Sequence, residues 1–318
     1  MKKIVGILAA AALATSAFAA DVSATAKLSS NLFTSKDGAI EALTALNNAQ
    51  TADYATLFNL SVSTDKAGGG VKYWAKDNDV TSGAYNVWFK PTDAIKLSFK
   101  ENGLGLFGQK YKGYYAHEVA KSAAGYGFSY AADAIALDIV LEDGFLTKAK
   151  DADATLKAVG AKFGYSADFG SIAFLFSADN TFKKFQIGAG FSGNVGDIGV
   201  VFNAGAIIDD GTTTVGLTPS AGGSIDALSW AIDIPVDIIL GDKTTTKVGT
   251  LAKVTYALDA FKVSPYFEDE DFLAEGDFAA KIGVAFEGNV GSAAWKVDPN
   301  FTTKDKAFTV AFETSIGF

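Results

Sequence analysis

The sequence predicts an all-β chain, folded as a transmembrane antiparallel up-and-down β-barrel of about 16–18 strands. Three observations carry that prediction. Apolar residues recur with period two in runs of strand length. Short links bearing Gly, Asn and Asp separate these runs again and again. Hydrophobic residues make up 49% of the chain, with 25 Phe and 11 Tyr, yet they are dispersed. No stretch beyond residue 19 holds the eighteen consecutive apolar residues of a membrane-spanning helix.

The N-terminus reads as an export signal over residues 1–19. Lys2 and Lys3 precede the apolar run Ile4–Leu13, and Ala17-Phe18-Ala19 is a small-x-small cleavage site. Residues 20–318 then form one barrel domain, the mature chain beginning at Ala20 or Asp21. Removing Lys2 and Lys3 takes the net charge from −9 to −11. That acidity argues against nucleic acid as a partner. The chain has no Cys, so it has no disulfide framework, which fits bacterial export. All 27 basic residues are Lys; the single His is His117.

Eight tight links punctuate the mature chain: Asp65–Gly70, Pro91–Ala94, Ala131–Ala134, Ala167–Gly170, Gly193–Asp197, Ile225–Ala227, Leu258–Ala260 and Gly288–Gly291. Two of them are near-copies reading GNVG. Asn, Asp and Gly supply the backbone conformations of hairpin turns. Between the tight links lie longer, more polar connections, among them Ser35–Asp53, Lys76–Gly83, Glu101–Lys121, Glu142–Ala154, Asp209–Thr214 and Asp298–Lys306. Short turns at one end and longer loops at the other are the asymmetry of an outer-membrane barrel. The count comes to about eighteen, with both termini at the tight-turn end. Gly38–Leu46 departs from alternation; Ile40, Leu43 and Ala39 or Leu46 predict a short helix in the first long loop.

The strand faces separate cleanly. Ile172, Phe174 and Phe176 oppose Ser171, Ala173 and Ser177; Ile282, Val284 and Phe286 oppose Lys281, Gly283 and Glu287. Charges within strands fall opposite the large apolar residues. A lipid-facing Lys at the bilayer midplane would cost about 2–4 kcal/mol, so a spanning sheet must segregate charge in this way. A soluble sandwich would also segregate charge, but it would have to bury the aromatic face and protect its sheet edges.

Catalytic chemistry finds little support. A lone His117 beside Glu118 reads as an exposed loop histidine, without the spaced partner a triad needs. No Cys and one His exclude a structural zinc site, and no cofactor is called for. The run Glu268–Asp271 matches no calcium loop and reads as a solvated tip. The sequence does specify a charged lumen. By alternation Lys27, Lys72, Lys90, Lys96, Lys100, Lys253, Lys262, Lys281 and Lys296 point inward. So do Asp138, Asp233, Asp237, Glu142, Glu268, Glu287 and Glu313. The plain role of any one of these is to keep a wide lumen hydrated. Their collective role would be a field across a pore.

The last eleven residues, FTVAFETSIGF, place Phe308, Val310, Phe312, Thr314, Ile316 and Phe318 on one face and Glu313 on the other. Together with the export signal and the repeated hairpins, this strand resembles those of bacterial outer-membrane β-barrels of the porin type. The Lys-only composition resembles that of spirochaete or other low-GC didermic bacteria. The resemblance implies a bacterial outer-membrane location and an aqueous channel for passive diffusion of small hydrophilic solutes or ions, with no enzymatic activity. It implies that Phe308, Phe312, Ile316 and Phe318 are read by the barrel-assembly machinery. It further implies outer-membrane lipid around the barrel and homo-oligomers, trimers being common. General porins of this type carry an Arg cluster at the constriction. Here Lys must substitute, without the planar fork. Glu101–Lys121 is the stronger of two loops, with 35–53, for folding into the pore. The alternative function is a surface adhesin or receptor built on a barrel scaffold, which would favour long loops.

Overall fold

The computed structural model describes residues 21–36, 39–44, 56–76, 79–101, 104–111, 125–142, 159–178, 183–209, 211–241, 243–269, 271–273 and 279–317. The signal segment, Phe318 and His117 lie outside the described residues, as do residues 45–53.

Among the described residues, twenty-one segments build one antiparallel sheet. The first nine are β1 (Asp21–Lys36), β2 (Ala39–Thr44), β3 (Thr56–Ser63), β4 (Ala67–Lys76), β5 (Asp79–Phe89), β6 (Ile95–Glu101), β7 (Gly125–Ala132), β8 (Ile135–Glu142) and β9 (Val159–Ala167). Next come β10 (Gly170–Ala178), β11 (Lys184–Val195), β12 (Ile198–Asp209), β13 (Thr212–Ile225), β14 (Leu228–Asp233) and β15 (Val236–Leu240). The last are β16 (Thr245–Val248), β17 (Thr250–Ala257), β18 (Phe261–Asp269), β19 (Ala280–Val290), β20 (Ala293–Thr302) and β21 (Ala307–Gly317).

These segments occupy eighteen strand positions. β3 pairs with Asp21–Leu28 of β1 and β2 pairs with Asn31–Lys36, so the two share one position. β14 and β15 both pair with β13 and form one strand broken at Ile234-Pro235. Pro235 has no N–H to give the ladder, which explains the break. Their partner is likewise split, β16 pairing with β15 and β17 with β14. β21 then pairs with β1 from Thr25↔Gly317 to Ser35↔Phe308, and the barrel closes. Closure leaves no sheet edge to protect. The seam runs along Thr25–Ser35 of β1, while Asp21–Leu28 of the same strand pair with β3 on its other edge.

The barrel is polar inside and apolar outside. Phe174, Phe176, Phe202, Ile282 and Phe308 all stand exposed on the outer face. Inward Asp233, Asn203, Ser220 and Ser264 are buried. A soluble protein rarely exposes more than a few hundred Å² of contiguous apolar surface, so this inversion excludes the sandwich.

Turn chemistry follows the sequence. The two GNVG copies place Gly196 and Gly291 at φ of 60° and 62°, the left-handed region that glycine enters without strain. Asp133 and Asp226 occupy the same region in two other tight turns. Neighbouring tight turns are tied by Lys66 to Asp93, whose carboxyl this bond holds below the usual range.

Four expectations change. Ala39–Thr44 is strand, not helix, because it completes a ladder with β1 that a segment too short to hold a helix alone would forgo. Gly68–Gly70 lie in β4 rather than in the turn; the Trp88 ring packs over Gly68, 2.7 Å from where a Cβ would sit. Several far connections are shorter than expected: residues 77–78 and 210–211 alone join β4 to β5 and β12 to β13. Glu268 and Asp269 are not a solvated tip. They end β18 and are buried, Asp269 accepting the backbone N–H of Asp271.

Candidate functional site

The lumen is the site, and the register of the sheet sets its lining. Cross-strand partners share a face, so one fixed residue propagates inwardness around the barrel. Starting from Glu313, the pairs Lys296↔Glu313, Glu287↔Lys296 and Lys262↔Glu287 put four charges of alternating sign side by side across β21 to β18. Lys27 extends the row, bonded to Glu313 at 2.7 Å; Lys296 lies 3.7 Å from Glu287 and 3.8 Å from Asp298. Lys262, Glu287, Lys296 and Glu313 line a cavity of about 420 Å³ on this wall.

The same propagation puts Lys281 opposite Glu268, Lys253 opposite Tyr266, and Asp233 opposite both Ser220 and Leu251. Asp237 lies between Gly216 and Lys247. Asp138 is flanked by Lys162 and Ser129, and Lys96 follows from Ser129. On the early strands Trp88 faces inward opposite Gly68 and Ser98, with the Lys90 ammonium 5.8 Å from its ring centroid. Lys72 pairs with Asn59 and Ala84 on the inward register. Lys100 sits where the register shifts between Phe99 and Glu101, at a bulge of one extra residue. The side chains of Lys72, Lys100 and Glu142 lie outside the described set.

Residues 104–111, from the connection between β6 and β7, do not stay at the rim. They lie against the inner wall of β10 to β18. Leu106 is buried on Ala173 and Leu175, with Leu104 and Phe107 packed beside it. Asn203 Nδ2 donates to the Phe107 carbonyl at 2.6 Å. The Lys110 N–H donates to Ser220 Oγ at 2.7 Å, and Ser220 donates in turn to Asp233. The Tyr111 N–H is shared between the two Asp233 oxygens at 3.3 Å each. Tyr111 Oη donates to Glu268 Oε1 at 2.7 Å. Deeper on the wall, Tyr266 Oη donates to Asp298 at 2.8 Å.

The wall beneath this loop is made of small residues. A Cβ on Gly190 would meet Asn203 and the Phe107 ring, the latter at 2.9 Å. One on Gly199 would lie 2.6 Å from the Lys110 ammonium. The loop therefore sits in a trough that the glycines leave open. Ammonium groups stand over the aromatic rings around it: Lys162 over Phe107 at 5.8 Å, Lys253 over Tyr111 at 5.3 Å and Lys281 over Tyr266 at 5.5 Å.

With this geometry the chain can be compared with solved structures. A variant of the porin of Rhodobacter blastica matches with a TM-score of 0.55 at 11% identity, covering 94% of this chain and 100% of that one. Pseudomonas aeruginosa OpdQ matches with a TM-score of 0.58, and OccK2 (OpdF), solved in complex with glucuronate, with 0.57. Both are 10% identical, covering 94% of this chain and 96% of theirs. The fold is that of a bacterial outer-membrane porin. No family model matches the chain, and no curated protein matches it in sequence.

Within this porin fold, alternation alone could find the charged residues of the wall. It could not find Asn203, Ser220, Gly190 or Gly199, which matter because a loop distant in sequence lies on them. The signal available was the crowding of Gly on the inward parity of β11 to β13, at Gly188, Gly190, Gly199, Gly205, Gly216 and Gly222. An empty strip on a wall whose other inward positions are mostly polar leaves room for something to lie there.

Proposed function

We propose that the chain is an outer-membrane porin: a non-enzymatic aqueous channel for passive diffusion of small hydrophilic solutes or ions. The observation that carries this is the loop 104–111 inside a closed barrel that is polar within and apolar without. A barrel of this strand number encloses a channel wider than side chains fill. A loop fastened to the inner wall narrows that channel while leaving it open to water. Selectivity then rests on lumen-facing charges: Lys90, Lys96, Lys253, Lys262, Lys281 and Lys296 against Asp138, Asp233, Asp237, Glu287 and Glu313, with Lys72 and Lys100 on the early strands.

An adhesin on a barrel scaffold would keep its longest loops outside for a partner. A loop held inside by Asn203, Ser220, Asp233 and Glu268 is better suited to shaping a pore. The signal segment 1–19 and the closing strand fit delivery to the outer membrane, with Phe308, Phe312, Ile316 and Phe318 as the mark for the assembly machinery. Phe318→Ser should then lower the amount of barrel in that membrane; unchanged levels would remove this part. Liposome swelling tests the channel itself. Proteoliposomes should swell in small sugars at a rate that falls with solute size, and rates equal to protein-free liposomes would refute it.

A further inference from the structure

The inward carboxylates and the inward lysines are used differently. Asp233, Asp237, Glu268 and Asp298 are each less than a tenth exposed. Asp233 holds the Tyr111 and Ser220 donors, Glu268 the Tyr111 hydroxyl and Asp298 the Tyr266 hydroxyl. Four further inward carboxylates face lysines: Glu313 with Lys27, Glu287 with Lys296, Asp209 with Lys184 and Asp138 across the ladder from Lys162. A mobile cation would have to displace one of these partners to coordinate a carboxylate.

The lysines beside the inner loop meet water. Lys110 is exposed, and Lys253 and Lys281 are half-exposed. The ammonium groups of Lys253 and Lys281 rest over the Tyr111 and Tyr266 rings, whose hydroxyls are committed to the acids behind them. A ring face attracts the cation without neutralising it. So at the narrowed level the groups a solute touches first are ammonium, and the acids stand one layer behind. Coulomb interaction falls with distance and with the screening of intervening water, so the nearer layer governs.

We propose that this pore passes small anions in preference to cations, although the chain as a whole is acidic, and that Lys110, Lys253 and Lys281 set the preference. The inference rests on the channel reading above and adds its sign of selectivity. The test is the zero-current potential across a planar bilayer under a KCl gradient, where the two ions have nearly equal mobility. The wild-type protein gives the sign of a chloride-preferring pore, and its preference fades as total salt rises and screening shortens. The variant Lys110→Gln/Lys253→Gln/Lys281→Gln, checked for folding by heat-modifiable migration, lowers the chloride-to-potassium permeability ratio about threefold or more, as removal of charged lumen groups does. Lys36→Gln and Lys66→Gln, in ion pairs outside the narrowed level, leave the ratio unchanged. A potassium-preferring wild type, or a ratio that the triple substitution does not move, overturns the inference and leaves the channel intact. If the triple variant fails to fold, the salt series on the wild type decides. Folded protein that forms no channels overturns the channel reading and this inference with it.

Discussion

The Tyr111 hydroxyl donates a 2.7 Å hydrogen bond to Glu268, joining the inner loop to β18 across 157 residues of sequence. Asp233 secures the backbone of the same residue, so Tyr111 is fastened at both its main chain and its tip. Between them lies Leu251, fully buried on the neighbouring strand. The loop position is therefore built into the wall rather than left to chance contacts.

Tyr111→Phe removes the tip of that fastening and takes one donor from Glu268. Losing a donor to a buried carboxylate costs about 1–3 kcal/mol. The barrel should still assemble, because β18 keeps its ladders to β17 and β19. The loop should move more, and single-channel records should show larger mean conductance with added flicker. Glu268→Gln should act in the same direction but more weakly, since an amide oxygen still accepts.

Alkali tests the same bond by another route. Burial, then the hydrogen bond and charge of Glu268, raise the Tyr111 phenol above its usual range. A raised value means the folded form keeps its proton while the unfolded chain loses one. The stabilisation is fully present below the ordinary phenol value of about 10 and is lost as pH climbs toward the folded value. The stability difference between wild type and Tyr111→Phe, measured by urea unfolding in detergent, should stay constant from pH 7 to about pH 9 and shrink above about pH 10. A difference that grows with pH would contradict the assignment.

Much of this was legible from alternation. The large apolar residues of β10, β12 and β19 and the inward charges of β17 to β21 follow a strict period of two, and a closed sheet keeps that period. The misreadings occur where something other than period decides. Ile40 and Leu43 have helical spacing, but an open ladder on β1 captures Ala39–Thr44. Gly68–Gly70 read as a turn because glycine marks turns, whereas here Trp88 needs the space. Glu268 and Asp269 read as a solvated tip because charge runs are usually exposed, whereas an inner loop covers Glu268. Tertiary contact between distant segments settles each of these.

Gly190→Val should push the loop off its trough. Its side chain would collide with Asn203 and the Phe107 ring. Overpacking of this kind costs about 1–3 kcal/mol, which a closed barrel can absorb. Heat-modifiable migration should remain, while conductance changes and the loop becomes more sensitive to protease added to the folded protein. Unchanged conductance and protease resistance would show that the trough does not position the loop.

Neighbouring positions on β19 should answer oppositely to charge. Ile282 stands exposed on the outer face and Lys281 points inward. Ile282→Lys places an ammonium in lipid at a cost of about 2–4 kcal/mol near the midplane, less toward the interface. Folded barrel should fall in refolding assays with lipid vesicles. Lys281→Gln should refold as well as wild type and change only ion permeation. Equal refolding of both variants would mean that the outer face does not meet lipid.

The central claim is that the barrel holds an open, loop-narrowed channel. Its most direct test is single-channel recording of the purified, heat-modifiable protein in a planar bilayer. The account predicts discrete, long-lived conductance steps that Tyr111→Phe makes larger. A flat record from folded protein inserted in the bilayer would contradict it.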